Sequence, residues 1–141
     1  MRHVADSELP QLIAFERTFD GLYGLERLDW SADEVRARVL VEEHHLQPMG
    51  VVHGGVFASI AESITSYATA MAVRDEGLAA MGLSNQTSFL RPVTAGTIHA
   101  VARRRHRGRT TWIWEVDMND DEGRLCAITR MTIAVREPAP R

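Results

Sequence analysis

A histidine, two glycines and a single carboxylate lie close together in the segment LQPMGVVHGGVFASIAESITSYATA, which covers residues 46–70. The carboxylate is Glu62, and it interrupts a run that is otherwise apolar at helical spacing. Ser59 and Ser66 lie three residues before it and four residues after it, so the three side chains share one helical face. Two interpretations fit this pattern: a polar stripe that faces solvent, or a reactive carboxylate with hydroxyl neighbours.

The turn before this helix favours the chemical interpretation. Gly54 and Gly55 stand at the predicted helix start, where the absence of side chains lets a ligand approach the backbone. The first N–H groups of a helix have no intrahelical partner and carry the positive end of its dipole, so a developing oxyanion would be stabilised there. Losing one such donor costs about 3 kcal/mol in acyl transfer. The structural alternative is a plain turn with an N-cap glycine, and a lone histidine such as His53 more often bonds loop backbone than catalyses.

One turn-helix unit would therefore carry an amide, a histidine, a helix-start N–H, a carboxylate and a hydroxyl, from Gln47, His53, Gly54, Glu62 and Ser66. This set suits attack on a carbonyl, because donors polarise the oxygen while the carboxylate attacks the carbon or activates water. No GxSxG elbow competes with it. His44, His45 and His53 lack a convincing metal-ligand spacing, so we expect no metal site.

The sequence predicts one long apolar helix among antiparallel strands. Helical spacing extends from Gly54 to Arg74, and Gly77 follows as a C-terminal cap. Alternating residues predict five strands, at 34–42, 79–90, 97–105, 110–118 and 125–136. A helix this apolar must be covered nearly all round, so we expect an α+β domain in which a curved five-stranded antiparallel sheet wraps over it. An exposed helix side and a sheet edge would favour a dimer.

The chain has 141 residues, enough for one domain with a real core. We predict a single domain over residues 1–141, with an N-terminal helix from Ser7 to about Phe19 within the lead-in 1–20, and a frayed tail at 137–141. The net charge of −3 gives no reason to expect a nucleic-acid partner. No signal peptide or membrane span is visible, and the one cysteine, Cys126, is expected as a buried hydrophobe. We therefore expect the cytoplasm.

The motifs of this chain resemble those of the hotdog-fold acyl-CoA thioesterases, in the branch that has a glutamate on the central helix. The resemblance rests on QPMGVVHGG followed by AESITS, and on GLSNQTSFLRPV, RGRTTWIWEV and DDEGRLCAITRMTIAV. It extends from about Gly21 to Arg136. The branch includes a 4-hydroxybenzoyl-CoA thioesterase and 1,4-dihydroxy-2-naphthoyl-CoA hydrolases. The resemblance implies a hotdog fold, hydrolysis of an acyl-CoA without a cofactor, since CoA is part of the substrate, and homotetramers built from dimers.

The resemblance also implies a role for each residue of the turn-helix unit. Glu62 matches the catalytic carboxylate, acting as nucleophile or general base, and Gly54 matches the backbone donor to the thioester oxygen. Gln47 matches a side chain that holds the thioester or water across the subunit interface. His53 matches a residue that supports the loop, and Ser66 one that positions water. The active site would accordingly lie between two subunits.

Two further matches concern coenzyme A. Arg91 corresponds to an arginine near the nucleotide phosphates, and the hairpin GRTT corresponds to a GSTT sequence that contacts the same group. Arg109 replaces the serine there while Thr110 is retained, so an arginine would bind a phosphate in its place. The basic run 103–109 is then a solvated hairpin that also receives CoA phosphates. Nucleic-acid binding is disfavoured because no aromatic residues interleave with the arginines.

Three functions are compatible with these residues. The first is hydrolysis of an aromatic acyl-CoA, namely 4-hydroxybenzoyl-CoA in aromatic degradation, with 1,4-dihydroxy-2-naphthoyl-CoA of menaquinone synthesis as an alternative substrate. A hotdog dehydratase or hydratase would pair a histidine with an acidic residue in a different motif. A non-catalytic module that binds acyl-CoA would keep the pocket without needing Glu62. The presence of Glu62 with Ser66 favours the hydrolase.

Overall fold

A long helix lies against a single antiparallel sheet in the computed structural model, which describes residues 2–3 and 11–140. The short helix α1 covers Phe19–Leu22, and the long helix α2 covers Gly54–Val73. Seven strands, β1 to β7, lie in chain order at Arg2–His3, Glu26–Trp30, Glu34–Leu40, Ala79–Phe89, Thr97–Arg107, Thr111–Asn119 and Leu125–Arg136. Turns of 3-10 helix occupy Phe15–Arg17, Glu43–His45 and Arg74–Glu76.

The strand order across the sheet is β1-β2-β3-β5-β6-β7-β4, and each adjacent pair is antiparallel. β4 directly follows the helix in the chain, yet it pairs with the last strand, with Ala79 opposite Arg136 and Phe89 opposite Ala127. Within the described residues β4 has β7 as its one strand partner, so its outer edge is unpaired. This edge lies beside the helix that carries Glu62.

The core lies between α2 and one face of the sheet. Ile60 and Ile64 of the helix are fully buried, and each such side chain contributes about 1.5–3 kcal/mol relative to exposure. Trp112 and Trp114 on β6 are buried against this face, as their shared strand face predicts. The Trp114 indole N–H donates a hydrogen bond of 2.9 Å to Thr69 Oγ1, which ties the helix to the sheet. The orientation of α2, and hence of its uncovered side, is fixed by these contacts.

The predicted fold class is confirmed, although the sheet has seven strands where five were predicted. The segment Glu26–Trp30 lacks the apolar alternation that reveals a strand, yet it pairs with β3 and extends the sheet. The predicted N-terminal helix differs as well. Ser7 and Pro10 lie outside the described residues, and residues 11–14 are irregular rather than helical. Helical turns begin later, at Phe15–Arg17 and in α1.

The predicted long helix is confirmed almost to the residue. It begins at Gly54 and ends at Val73, and Gly77 follows in the left-handed region with φ of 71°. With the turn that continues to Glu76, the helix is long and apolar enough to suit a membrane span by composition, with a mean hydropathy of 1.2. Its packing against the sheet accounts for that composition, as in the core helix of a globular domain.

Candidate active site

Glu62 lies on the side of α2 that the sheet leaves uncovered. Its side chain is exposed, whereas Ala61 and Ile64 beside it are completely buried. A cavity of about 400 Å³ adjoins the carboxylate. Two carboxylates, three hydroxyls and one aromatic ring line this cavity, from Phe19, Asp20, Ser59, Glu62, Ser63 and Ser66. The exposed stripe predicted from the sequence is therefore one wall of a concave site rather than a flat solvated face.

Asp20 is a cavity residue that the sequence reasoning missed. The Ser63 hydroxyl donates a 2.6 Å hydrogen bond to Asp20 Oδ1, and the Tyr23 hydroxyl donates to Ser63 Oγ at 3.4 Å. Burial raises the pKa of Tyr23, which keeps its phenol protonated as a donor. Thr18 positions the aspartate, because its side chain caps α1 by accepting from the Gly21 N–H. The threonine cap followed by an acidic first turn was the available sequence signal.

His53 caps the helix start. Its Nδ1 accepts a 2.8 Å hydrogen bond from the Gly55 N–H, so its neutral ring carries the proton on Nε2. No described residue accepts a hydrogen bond from the Gly54 N–H, which is left for a ligand. The Phe89 ring lies over Gly54, and a Cβ built at this position would fall 2.8 Å from Phe89 Cζ. The Gly54 N–H therefore stands at the helix start beside the Phe89 ring, and its role as a donor to a ligand stays a prediction.

A buried histidine holds the turn that carries Gln47. His45 Nδ1 accepts from the Glu42 N–H at 2.8 Å, its Nε2 donates to the Tyr23 carbonyl at 2.7 Å, and its own carbonyl accepts from the His53 N–H. Gln47 Oε1 accepts from the Met49 N–H, which leaves the side-chain amide group free to donate. Within residues 2–3 and 11–140, no three His, Cys, Asp or Glu side chains are grouped so that they could hold a metal ion.

The backbone donor and the carboxylate of one chain are too far apart to act on one carbonyl group. Gly54 and Glu62 are eight residues apart on α2. At 1.5 Å per residue they are separated by about 12 Å along the helix axis, whereas reacting groups must approach to about 3 Å. The Gly54 N–H and the Glu62 carboxylate of one chain therefore cannot contact the same carbonyl group.

The predicted CoA-binding residues lie at opposite ends of the sheet. The Arg91 N–H donates to the Cys126 carbonyl at the start of β7, and the Val135 N–H donates to the Thr110 carbonyl at its end. Cys126 and Val135 are nine residues apart on β7. Because a strand rises about 3.3 Å per residue, the backbone positions that they hold, at Arg91 and Thr110, are roughly 30 Å apart. Arg91 and Arg109 are both exposed, but they cannot contact the same phosphates within one chain.

The basic run 103–109 is largely neutralised by carboxylates. Arg103, Arg104, Arg105 and Arg107 each have a carboxylate oxygen at 2.7–3.7 Å. Arg104 points to the opposite face from Arg103 and Arg105, as the alternation predicts, and its guanidinium stacks over Trp112 at 5.1 Å. Exposed pairs of this kind contribute at most about 1 kcal/mol each. The arrangement agrees with a solvated hairpin and not with a continuous basic surface.

Cys126 is buried, as predicted. It is 1% exposed, and its thiol donates to the Arg124 carbonyl at 3.2 Å. Burial raises the pKa of this thiol, which disfavours the reactive thiolate. The cysteine thus belongs to the core and offers no alternative nucleophile.

Comparisons with known proteins decide the family. A family model described as the thioesterase superfamily matches residues 49–127, which include α2 and the strands β4, β5 and β6. The chain belongs to the thioesterase superfamily. It is 33% identical over 112 residues to the proofreading thioesterase EntH of Cronobacter turicensis, with 79% of this chain and 81% of that protein covered. The hotdog fold and the activity of a thioester hydrolase follow for this chain.

Solved structures of thioesterases agree with this assignment. A variant of a thioesterase from Pseudomonas aeruginosa matches with a TM-score of 0.82 at 30% identity, covering 86% of this chain and 87% of that chain. A thioesterase from Haemophilus influenzae matches with a TM-score of 0.80 at 32% identity, covering 86% of this chain and 84% of that chain. The common fold therefore extends over nearly all of the described residues.

Proposed function

We propose that this thioester hydrolase acts on an aromatic acyl-CoA, 4-hydroxybenzoyl-CoA or a similar hydroxyaryl-CoA, and releases the free acid and CoA. The observation that carries this proposal is the position of Glu62, an exposed carboxylate in a cavity that also holds Asp20 and the Phe19 ring. An aryl group can stack on an aromatic ring, and its hydroxyl can donate to a carboxylate. The site thus has partners for both parts of a hydroxyaryl group.

Asp20 supports a hydroxylated acyl group over an unsubstituted one. Its Oδ1 accepts from Ser63, and the Tyr23 hydroxyl lies close to the same carboxylate. A carboxylate accepts several hydrogen bonds, so a phenol hydroxyl of the substrate would donate to Asp20, whereas a benzoyl group offers no donor. An acyl group that carries its own carboxylate would be repelled by Asp20 and Glu62 together. The 1,4-dihydroxy-2-naphthoyl group also carries hydroxyls and remains the alternative substrate.

Glu62 would carry the chemistry by one of two routes. As a general base, it takes a proton from water while the water oxygen bonds to the acyl carbon, and it passes that proton to the sulfur as the C–S bond breaks. As a nucleophile, a Glu62 oxygen displaces CoA and forms a mixed anhydride, which water then hydrolyses. Both routes need the Gly54 N–H on the thioester oxygen and Ser66 near the water.

We propose further that two copies of the chain complete each active site. The 12 Å between Gly54 and Glu62 supports this arrangement, because a second copy can bring its helix start to the first copy's carboxylate. Gln47 lies in the same turn as Gly54 and would come from the same copy. The exposed edge strand β4, with Met81, Leu83 and Phe89 exposed, offers a surface for pairing. A tetramer built from two such dimers is part of this proposal.

The nucleotide of CoA would be bound by Arg91, Arg109 and Thr110. Because Arg91 and Arg109 of one chain are roughly 30 Å apart, contacts to one nucleotide by both would have to come from different copies. The 3′- and 5′-phosphates of CoA would pair with the guanidinium groups. The cytoplasm, where the CoA pool and reduced thiols coexist, is the proposed location.

The test is release of free CoA thiol from 4-hydroxybenzoyl-, benzoyl-, 1,4-dihydroxy-2-naphthoyl- and a medium-chain acyl-CoA, measured at equal enzyme concentration. We expect the highest kcat/KM for the hydroxybenzoyl ester. Faster cleavage of the naphthoyl ester would favour the alternative substrate. Tight binding of these esters without turnover would instead support the non-catalytic acyl-CoA-binding module.

A further inference from the structure

A glycine of the edge strand lies directly against the two polar groups at the centre of the candidate site. A Cβ built on Gly82 would lie 3.4 Å from Glu62 Oε1 and 4.0 Å from Ser66 Oγ, with Met131 Cε at 3.7 Å. Gly82 therefore bounds the space between the carboxylate and the hydroxyl, and that space is open because this residue has no side chain.

The backbone conformation does not explain why this residue is glycine. Five glycines in the described chain have a positive φ, and Gly82 is not one of them. Alanine would adopt the same conformation without strain. The contacts at the Cβ position are near the limit of van der Waals contact rather than steric overlap with backbone, so the fold also has room for a methyl group. The absence of a Cβ at Gly82 leaves a larger free space in front of the Glu62 carboxylate.

The position of Gly82 relative to α2 is fixed by polar contacts on the same strand. Asn85 Nδ2 donates a 2.9 Å hydrogen bond to the Ala58 carbonyl of the helix. Asn85 Oδ1 accepts from Thr87 Oγ1 at 2.7 Å, and Thr87 in turn bonds Thr129 of β7 at 2.8 Å. The register of β4 with β7 also shifts between Gly82 and Ser84. These contacts hold the open point beside the carboxylate.

The space in front of the Gly82 Cα suits a water molecule. An ordered water needs two or more polar partners, and the position that a Cβ would take is 3.4 Å from Glu62 Oε1 and 4.0 Å from Ser66 Oγ. A water in van der Waals contact with the Gly82 Cα would lie beyond that position, nearer to both oxygens. Among the described residues, the Ser66 hydroxyl has no hydrogen-bond partner. A methyl group at residue 82 would overlap this water and would offer no hydrogen bond in exchange.

We propose that Gly82 is a positioning residue that keeps this place open for the hydrolytic water. This inference rests on the proposed chemistry of Glu62. It adds that a residue of β4, Gly82, determines whether a water molecule can reach the carboxylate. In the general-base route the water oxygen bonds to the acyl carbon while one water proton goes to Glu62, which passes it to the CoA sulfur as the C–S bond breaks. In the anhydride route CoA leaves first as the thiolate. The water oxygen then bonds to the acyl carbon, the bond from that carbon to Glu62 breaks, and the two water protons pass to the thiolate and to solvent.

The test is Gly82→Ala, with Val101→Ile as the matched control because it adds one methyl group to strand β5, away from the edge strand β4. We expect kcat for 4-hydroxybenzoyl-CoA to fall about 100-fold in Gly82→Ala, with KM changed less than about threefold. Val101→Ile should retain the wild-type kcat. Circular dichroism and sedimentation should show the same fold and assembly in both variants. Equal kcat values for Gly82→Ala and Val101→Ile would overturn the proposal.

A double-mutant cycle separates this role from a general structural effect. If Gly82 and Ser66 serve one water, that water is already lost in Ser66→Ala. Adding Gly82→Ala should then lower kcat by less than about twofold more. Independent effects that multiply in the double variant would contradict a common water.

A structural measurement covers the case in which Gly82→Ala fails to fold or assemble. A high-resolution crystal structure of the wild type should contain an ordered water between Glu62 Oε1 and Ser66 Oγ, next to the Gly82 Cα. Its absence there would overturn the proposal. If the wild type cleaves no thioester, both the proposed function and this inference fail; if cleavage depends on Glu62 but not on Gly82, only this inference fails.

Discussion

At the residue scale, the site depends on where α2 changes from core to surface. Glu62 is exposed next to Ala61, which is completely buried, so a shift of one helical position would place the carboxylate in the core. That placement follows from the apolar spacing of the helix, and Glu62 could therefore be identified from the sequence. Asp20 was missed: the Thr18 cap marks the four-residue helix that carries it, 42 positions before Glu62, but the packing of that helix beside α2 depends on tertiary contacts rather than on any periodic pattern.

Asp20 is expected to select among acyl groups. In Asp20→Asn, kcat/KM for 4-hydroxybenzoyl-CoA should fall about 10- to 100-fold, because a hydrogen bond to a charged acceptor is replaced by one to an amide. Benzoyl-CoA lacks the donor, so its kcat/KM should change less than about threefold. Steady-state kinetics on both esters gives the ratio of kcat/KM between the wild type and Asp20→Asn for each substrate. Equal losses on both substrates would contradict a contact between Asp20 and the acyl hydroxyl.

At the scale of elements, the long periodic segments were predictable and the short ones were not. α2 and strands β3 to β7 were predicted near their observed bounds because their apolar residues alternate or recur at helical spacing. β2 was missed because ERLDW shows no such alternation, and its strand conformation comes from pairing with β3. The turns between strands are held by side chains, of which Asp121 is a clear example.

Asp121 joins the start of β5 to the turn between β6 and β7. Hydrogen bonds from His99 and from the Thr97 N–H hold the pKa of this carboxyl below its usual value. A carboxyl with a lowered folded-state pKa stabilises the fold above its unfolded-state pKa, and that stabilisation is lost as the pH falls through the folded-state value. Asp121→Asn should therefore lower the urea midpoint slightly at pH 7 and much less at pH 2.5. If the urea midpoints of Asp121→Asn and the wild type differed by the same amount at both pH values, the ionised Asp121 carboxylate would not be the source of the stabilisation.

At the scale of the whole molecule, the single chain has a continuous core, whereas the proposed active site needs a second copy. The donor at Gly54 and the carboxylate at Glu62 are separated along α2, and the edge strand beside them is unpaired within the described residues. The sequence predicted an edge and an uncovered helix side, and the resemblance implied a site between subunits. The separation itself could be measured only once the helix was known to be continuous from Gly54 to Val73.

A charge on the exposed edge strand should therefore separate the copies and stop catalysis. Leu83→Lys places a cation on β4, where Leu83 is 53% exposed. We expect a monomer with an intact fold and a kcat at least about 100-fold lower, since the oxyanion donor is lost with the second copy. Leu40→Lys is the matched control, because Leu40 is exposed on β3, away from this edge. Sedimentation and CoA release together check the result, and an active Leu83→Lys monomer would refute the shared site.

The catalytic role of Glu62 predicts that thioester hydrolysis depends on its carboxylate. CoA release from 4-hydroxybenzoyl-CoA would be measured for the wild type, for Glu62→Ala and for Glu122→Ala, which removes an exposed glutamate from the turn between β6 and β7. We predict that Glu62→Ala lowers kcat about 1,000-fold while it folds, assembles and binds CoA like the wild type, and that Glu122→Ala keeps full activity. A Glu62→Ala enzyme that changes only KM, or nothing, would contradict the catalytic role of the carboxylate.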